Sequence, residues 1–188
     1  MRIAVAALLF LFCSGSALLE NERPTSWAQK LELTSLENGY KVSDDLYRSE
    51  QPSLTAITEL EELGIKTVIN FRNLYQDKKE LKGSSLKSVY IPIKTKKIGY
   101  ENLIKALQEI KRAEKPVLIH CWHGSDRTGA VTAAYRMAVM NWTKEEAINE
   151  FRNGGFGYHE KWFPSILTLL ESIDVDSLKK DLGEEPLR

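Results

Sequence analysis

Apolar residues along this chain fall into two patterns, short continuous runs and longer segments where they recur every three or four positions. In the second pattern, Leu54, Ile57, Leu60 and Leu63 lie roughly on one face of a helix over Leu54–Leu63, with Ser53 as cap and Gly64 as stop. Glu101–Ala113 repeats it with Leu103, Ile104, Leu107 and Ile110 facing inward, and Phe163–Ile173 is a further amphipathic segment. Thr143-x-x-Glu146 is a capping box for a helix running to about Arg152, which Gly154-Gly155-Phe156-Gly157 stops. Thr128–Met140 is almost entirely apolar or small, which predicts a helix buried all round. The continuous runs Thr67–Phe71 and the one from Val117 predict buried strands. Val89–Ile93 is a third strand, placed near a sheet end by Pro92. Tyr40–Val42 and Leu46–Arg48 read as short strands across the turn Ser43-Asp44-Asp45, and Gln76–Leu81 as a weak helix or loop. Strands alternating with helices imply an α/β domain, with a small central, largely parallel sheet and helices on both faces.

The ends follow other patterns. Met1–Ala17 has a positive start at Arg2, an apolar stretch Ile3–Phe12 and the small residues Ser14-Gly15-Ser16-Ala17. That is a signal-peptide pattern, and it predicts a periplasmic or secreted protein whose mature chain begins near Leu18. The apolar stretch is too short for a comfortable membrane span, so no stable membrane insertion of the mature protein is expected. Residues 18–38 are a polar lead-in from which Trp27 and Leu31-x-Leu33 can pack against the domain over residues 39–180. The charged end, Leu178–Arg188, is expected to fray, with 181–188 as a loose tail. Length (188 residues) and 43% hydrophobic content suit one domain with a real core. Lys plus Arg equals Asp plus Glu at 26 each, so no global field draws the chain to nucleic acid. Loss of the leader removes Cys13 and leaves Cys121 as the sole cysteine, so no intramolecular disulfide is expected.

Chemistry concentrates in Val117–Ala130, where Cys121 and Arg127 stand with five residues between them in a strand-to-helix loop. Such a loop turns backbone N–H groups inward, and the helix dipole adds positive potential, so an anion is favoured there. The same field favours thiolate over thiol at Cys121. Arg127 offers a planar fork for two phosphate oxygens. Gly124 permits a tight backbone path, and the Thr128 hydroxyl is placed to donate to the sulfur. Hydrolysis of a phosphate monoester through a phosphocysteine fits these residue types. No histidine–carboxylate cluster has metal-ligand spacing, so neither metal nor cofactor is expected.

His120 before the cysteine, Gly124 three residues after it and Thr128-Gly129 after the arginine resemble the signature of the cysteine-dependent protein tyrosine and dual-specificity phosphatases. Further stretches extend the likeness to the bacterial exported members, from about Trp27 to Leu178. These are Trp27-Ala28-Gln29, Leu46-Tyr47-Arg48-Ser49 with Gln51-Pro52, Gly64–Arg72 and Gly154–Gly157. The resemblance implies a dual-specificity-phosphatase-like fold with Cys121 as nucleophile, Arg127 as phosphate ligand and Thr128 assisting the thiolate. It also implies that the backbone amides of Trp122, His123, Gly124, Ser125, Asp126 and Arg127 hold the phosphate, that His120 orients the loop, and that Arg72 braces neighbouring loops. The His123 side chain either rims the site or only fills space.

One departure stands out. Such enzymes usually take a general-acid aspartate from the loop after the third strand, yet no carboxylate lies between Ile91 and Tyr100. Asp126 is the leading substitute, the alternative being that it only hydrogen-bonds the loop, and Glu101 is a further candidate. Lys94, Lys96 and Lys97 in that loop are either a solvated face or an attraction for polyanions. The expected function is therefore an exported phosphatase acting on phosphotyrosine, and also on phosphoserine and phosphothreonine. The alternatives are a phosphoinositide or inositol-phosphate phosphatase, and a phosphate-binding pseudophosphatase. The partner expected is thus a phosphorylated protein, or a phosphorylated small molecule or lipid.

Overall fold

The computed structural model describes residues 23–183; the leader read over 1–17 and the tail after Gly183 lie outside the described residues. One sheet contains β1 (Gln29–Lys30), β2 (Tyr40–Lys41), β3 (Leu46–Ser49), β4 (Thr67–Asn70), β5 (Lys87–Tyr90) and β6 (Val117–His120). Their order across the sheet is β1-β2-β3-β6-β4-β5. β3, β6, β4 and β5 are parallel, and β1 and β2 join antiparallel, so the sheet is mostly parallel as expected. In register, Ser49 and Asn70 both stand opposite His120, and Tyr90 stands opposite Asn70. The carboxyl ends of four strands thus meet at one edge, where α/β proteins bind ligands.

Among the described residues six α-helices are interspersed with the strands or follow them: α1 (Leu54–Glu62), α2 (Tyr100–Arg112), α3 (Asp126–Ala138), α4 (Lys144–Asn153), α5 (Pro164–Ser172) and α6 (Val175–Leu182). Side chains alternate across β6, which divides the core in two. Val117 and Ile119 face a large cluster with Leu103, Leu107, Val131 and Ala134, whereas Leu118 faces a smaller one with Ala56, Ile57 and Leu60. Helices therefore cover both faces, α1 alone on its side of the strands. The central helix α3 is buried nearly throughout, as its composition requires. The capping box of α4 is formed in both directions by Thr143 and Glu146.

Several boundaries differ from expectation, each for a physical reason. The third strand runs Lys87–Tyr90 rather than Val89–Ile93, because Pro92 has no N–H to continue the ladder. Leu54 is 57% exposed rather than inward, since the buried stripe of α1 is Ala56, Ile57 and Leu60. The segment from Leu178 does not fray within the described residues. The Asp174 side chain accepts from the Ser177 amide at 2.7 Å, Leu178 and Leu182 are buried one turn apart, and Gly183 closes the helix in the left-handed region. Its high charge had hidden an apolar stripe spaced four residues apart. The domain accordingly continues past residue 180.

The lead-in also belongs to the fold. Gln29 pairs with Lys41 in β1, and Ala28 and Leu36 are buried. The Ala28 amide donates to Glu150 Oε1 at 2.6 Å, and Arg136 Nη2 and Nε donate to the same carboxylate at 2.7 and 2.8 Å. The two side chains of that pair are 1% and 2% exposed. Arg136 also donates to the Val42 carbonyl and lies 4.1 Å from the Trp142 ring. Breaking a buried pair by removing one partner costs about 3–5 kcal/mol, so this cluster fastens the lead-in to α3 and α4.

Candidate active site

The site begins where β6 ends at His120 and finishes where α3 begins at Asp126. Between them the loop must pass against the end of β3. Gly124 makes this possible: its φ is +72°, and a Cβ there would sit 2.5 Å from the Ser49 carbonyl oxygen and 2.7 Å from the Glu50 nitrogen. The Gln51 amide donates to the Trp122 carbonyl at 3.0 Å, and Arg48 Nη2 donates to the Gly124 carbonyl at 2.6 Å. Arg48 is 1% exposed and its guanidinium lies 3.7 Å from the Phe156 ring. Burial pushes this guanidinium down to about 10, while Glu150 and Cys121 act in the opposite sense. A buried cation therefore underlies the loop.

Beside Cys121, the His120 ring is buried and held at both nitrogens. Its Nδ1 is 3.0 Å from the Cys121 carbonyl and its Nε2 is 2.8 Å from Asp77 Oδ2. Asp77 also accepts from Gln51 Nε2 at 2.8 Å and from Asn70 Nδ2 at 2.9 Å. Burial would push the Asp77 carboxyl up, but the hydrogen bond and charge of His120, with the bonds from Gln51 and Asn70, outweigh it and hold the group below the usual carboxylate range. Arg72 contacts the same region. Its Nη1 donates to Gln51 Oε1 at 3.0 Å, and its guanidinium lies 4.2 Å from the Tyr75 ring and 4.1 Å from the Trp122 ring.

Cys121 is 2% exposed. Arg127 Nη1 rests 3.4 Å from the Phe71 carbonyl and 3.3 Å from the Ile93 carbonyl, at the ends of the strand segments that flank the loop. Two buried polar atoms of the loop, Arg127 Nε and Thr128 Oγ1, have no hydrogen-bond partner. The expected bond from Thr128 to the Cys121 sulfur is thus not formed in this structure. An unpaired buried donor costs about 1–3 kcal/mol, and an oxyanion held by this loop would recover that energy. Ser125 is buried, with its hydroxyl 3.3 Å from the His123 carbonyl.

Above the loop lies a cavity of about 410 Å³. Trp122, Trp162 and Phe163 give it aromatic walls, while Arg127, Asp126 and His159 line it with polar groups. His123 is exposed and also lines the cavity, which places it at the rim. Asp126 is 6% exposed; its Oδ1 accepts from the His159 amide at 3.0 Å and its Oδ2 lies 3.0 Å from His159 Nδ1. Glu101 is exposed on the first turn of α2 and does not line the cavity. Lys94, Lys96 and Lys97 are exposed around the helical turn Thr95–Lys97, of which Thr95 alone reaches the cavity.

The structure thus adds Arg48, Asp77, His159 and Trp162 to the residues read from the sequence. Asp77 sits in a segment without periodicity and left no signal. His159 left one: the chain has only three histidines, and the other two, His120 and His123, are in the loop.

Comparison with known proteins agrees with this geometry. The model of the dual specificity phosphatase catalytic domain matches residues 46–160. The dual specificity protein phosphatase TpbA of Pseudomonas aeruginosa is 32% identical over 95% of this chain and 83% of its own length. A crystal structure of P. aeruginosa TpbA superposes with a TM-score of 0.79 at 31% identity, covering 87% of this chain and all of that one. An inositol diphosphatase of Arabidopsis thaliana is 27% identical over 75% of this chain and 72% of its own length. A catalytic-domain match over more than half of the chain, which includes the Cys121–Arg127 loop, establishes that this protein belongs to the dual specificity phosphatase family.

Proposed function

We propose that the protein is an exported phosphatase that hydrolyses phosphotyrosine, and also phosphoserine and phosphothreonine, through a phosphocysteine. The observation that carries this reading is the aromatic-walled cavity leading to Arg127, with Arg127 Nε and Thr128 Oγ1 buried and unpaired at the start of the helix that follows Cys121. Trp122, Trp162 and Phe163 suit the flat ring of an aryl phosphate. A cysteine-to-serine form of P. aeruginosa TpbA, 30% identical to this chain with a TM-score of 0.78, is known in complex with phosphotyrosine. In the first step the Cys121 thiolate attacks phosphorus, forming the S–P bond as the bond to the leaving oxygen breaks. Arg127 and the loop amides stabilise charge on the equatorial oxygens. Water then hydrolyses the phosphocysteine, releasing phosphate and restoring the thiolate.

A second reading, action on inositol phosphates or phosphoinositides, is favoured by the inositol diphosphatase likeness and by three exposed lysines beside Thr95. A panel of phosphotyrosine, phosphoserine and phosphothreonine peptides with inositol polyphosphates and phosphoinositides separates the two. The expected order by kcat/KM places phosphotyrosine peptide first, and a clear preference for an inositol polyphosphate overturns it. Export rests on the leader pattern of Met1–Ala17. N-terminal sequencing of protein from its native host should start near Leu18, and a full-length cytoplasmic product starting at Met1 refutes export.

A further inference from the structure

Proton donation to the leaving group is the step for which the loop after the third strand offers no carboxylate, since Ile91–Tyr100 contains none. Asp126, the carboxylate that lines the cavity, is committed elsewhere. Its two oxygens receive the backbone amide and the Nδ1 of His159, at 3.0 Å each, with Nδ1 also 3.2 Å from Oδ1. Both oxygens are thus taken up as acceptors from His159, which places Asp126 to orient that ring. The ring it orients is differently placed. His159 is about 39% exposed at its side chain and lines the same cavity as Arg127, Trp122 and Trp162. Because Asp126 fixes Nδ1 as a donor, the second ring nitrogen, Nε2, remains, and no side chain or backbone group among the described residues bonds to it. The groups around the ring are Asp126 on α3, Arg127 in the cavity, His123 with its ring centroid 5.4 Å away, and the neighbours Tyr158 and Glu160, of which Glu160 pairs with Arg152.

We infer that His159 is the general acid of this phosphatase, with Asp126 as the positioning residue that fixes its tautomer and ring orientation. The inference rests on the phosphocysteine reading above. As Cys121 Sγ forms its bond to phosphorus and the P–O bond breaks, the proton on Nε2 of the imidazolium passes to the leaving oxygen, giving a neutral alcohol or phenol and a neutral imidazole. The imidazole then accepts a proton from the water that attacks the phosphocysteine, which releases hydrogen phosphate, restores the thiolate and returns the imidazolium. Charge and protons balance over the cycle. Imidazole is the side chain that exchanges protons most readily near neutral pH. The arrangement makes Asp126 necessary without making it the donor.

The test compares wild type, His159→Gln and Asp126→Asn on aryl phosphates of graded leaving-group acidity and on a phosphoserine peptide. General-acid catalysis is worth a factor on the order of 10² to 10⁴. His159→Gln should lower kcat by that order for the phosphoserine peptide, by much less for nitrophenyl phosphate, and should remove the basic limb of the kcat–pH profile. Asp126→Asn, which keeps the ring, should give the same selective loss, and the double variant should lose little more. If His159→Gln folds poorly by circular dichroism, His159→Asn takes its place, since Asp126→Asn alone gives the same loss whichever group is the acid. An equal loss across all leaving groups, or no loss, overturns His159 as the acid. A selective loss in Asp126→Asn with an unaltered His159→Gln overturns it in favour of Asp126. Failure of the underlying phosphocysteine reading shows separately, as turnover that survives Cys121→Ser.

Discussion

Cys121→Ser should abolish turnover while leaving the fold and the affinity for phosphate in place. Cys121 is 2% exposed and its replacement changes one atom, so the core around it has little to readjust. The loop contacts do not depend on the sulfur: Arg48 still holds the Gly124 carbonyl and Gln51 still holds the Trp122 carbonyl. What changes is the nucleophile, because a hydroxyl is far less ionised than a thiol under the same field. Removing a catalytic nucleophile costs on the order of 10⁶ in kcat in a well-studied hydrolase, and a comparable loss is expected here with nitrophenyl phosphate. Inorganic phosphate should still bind, measured by calorimetry, since the ligands proposed for it, Arg127 and backbone amides, remain. Turnover above a trace would remove the phosphocysteine from the mechanism.

Arg127→Lys should lower kcat/KM by about 10² to 10⁴, because hydrogen bonds to charged groups are worth about 1.5–3 kcal/mol each and the two-pronged contact is lost. Lysine keeps the charge but is a point donor on a flexible stem. It also lacks the fork that reaches the Phe71 and Ile93 carbonyls, so its head is less well aimed. The loss should fall mainly in kcat, where charge on the equatorial oxygens is redistributed in the transition state. Because every phosphate ester presents the same oxygens, aryl and alkyl substrates should suffer alike, which distinguishes this change from loss of the acid. Wild-type kcat and KM in this variant would remove Arg127 as the phosphate ligand.

The loop was legible in the sequence because it is one contiguous unit. Cys121, Gly124, Arg127 and Thr128 lie within eight residues of a strand-to-helix connection, so spacing alone fixes their relative placement. The alternation of strands with amphipathic segments was equally readable, since periodicity records which face of a local element leaves water. Reading failed where burial and charge diverged. Leu178 and Leu182 were obscured by the lysines and aspartates around them, and Leu54 looked inward by period alone.

The sequence by itself therefore determined the α/β class, the buried central helix and the strand-to-helix loop in which Cys121 and Arg127 are proposed as nucleophile and phosphate ligand, because each depends on neighbours in the chain. Only the tertiary structure decided what surrounds them. Parallel pairing of β6 with β3 and β4 brings Ser49, His120 and Asn70 to one edge, where Asp77 can meet His120 across 43 positions and Arg48 can meet Gly124 across 76. The buried Arg136–Glu150 pair and the Asp126–His159 pair arise in the same way. A charged residue reads identically in sequence whether it ends in water or in the core. Its partner is chosen by sheet register and helix packing, long-range contacts that no local period records.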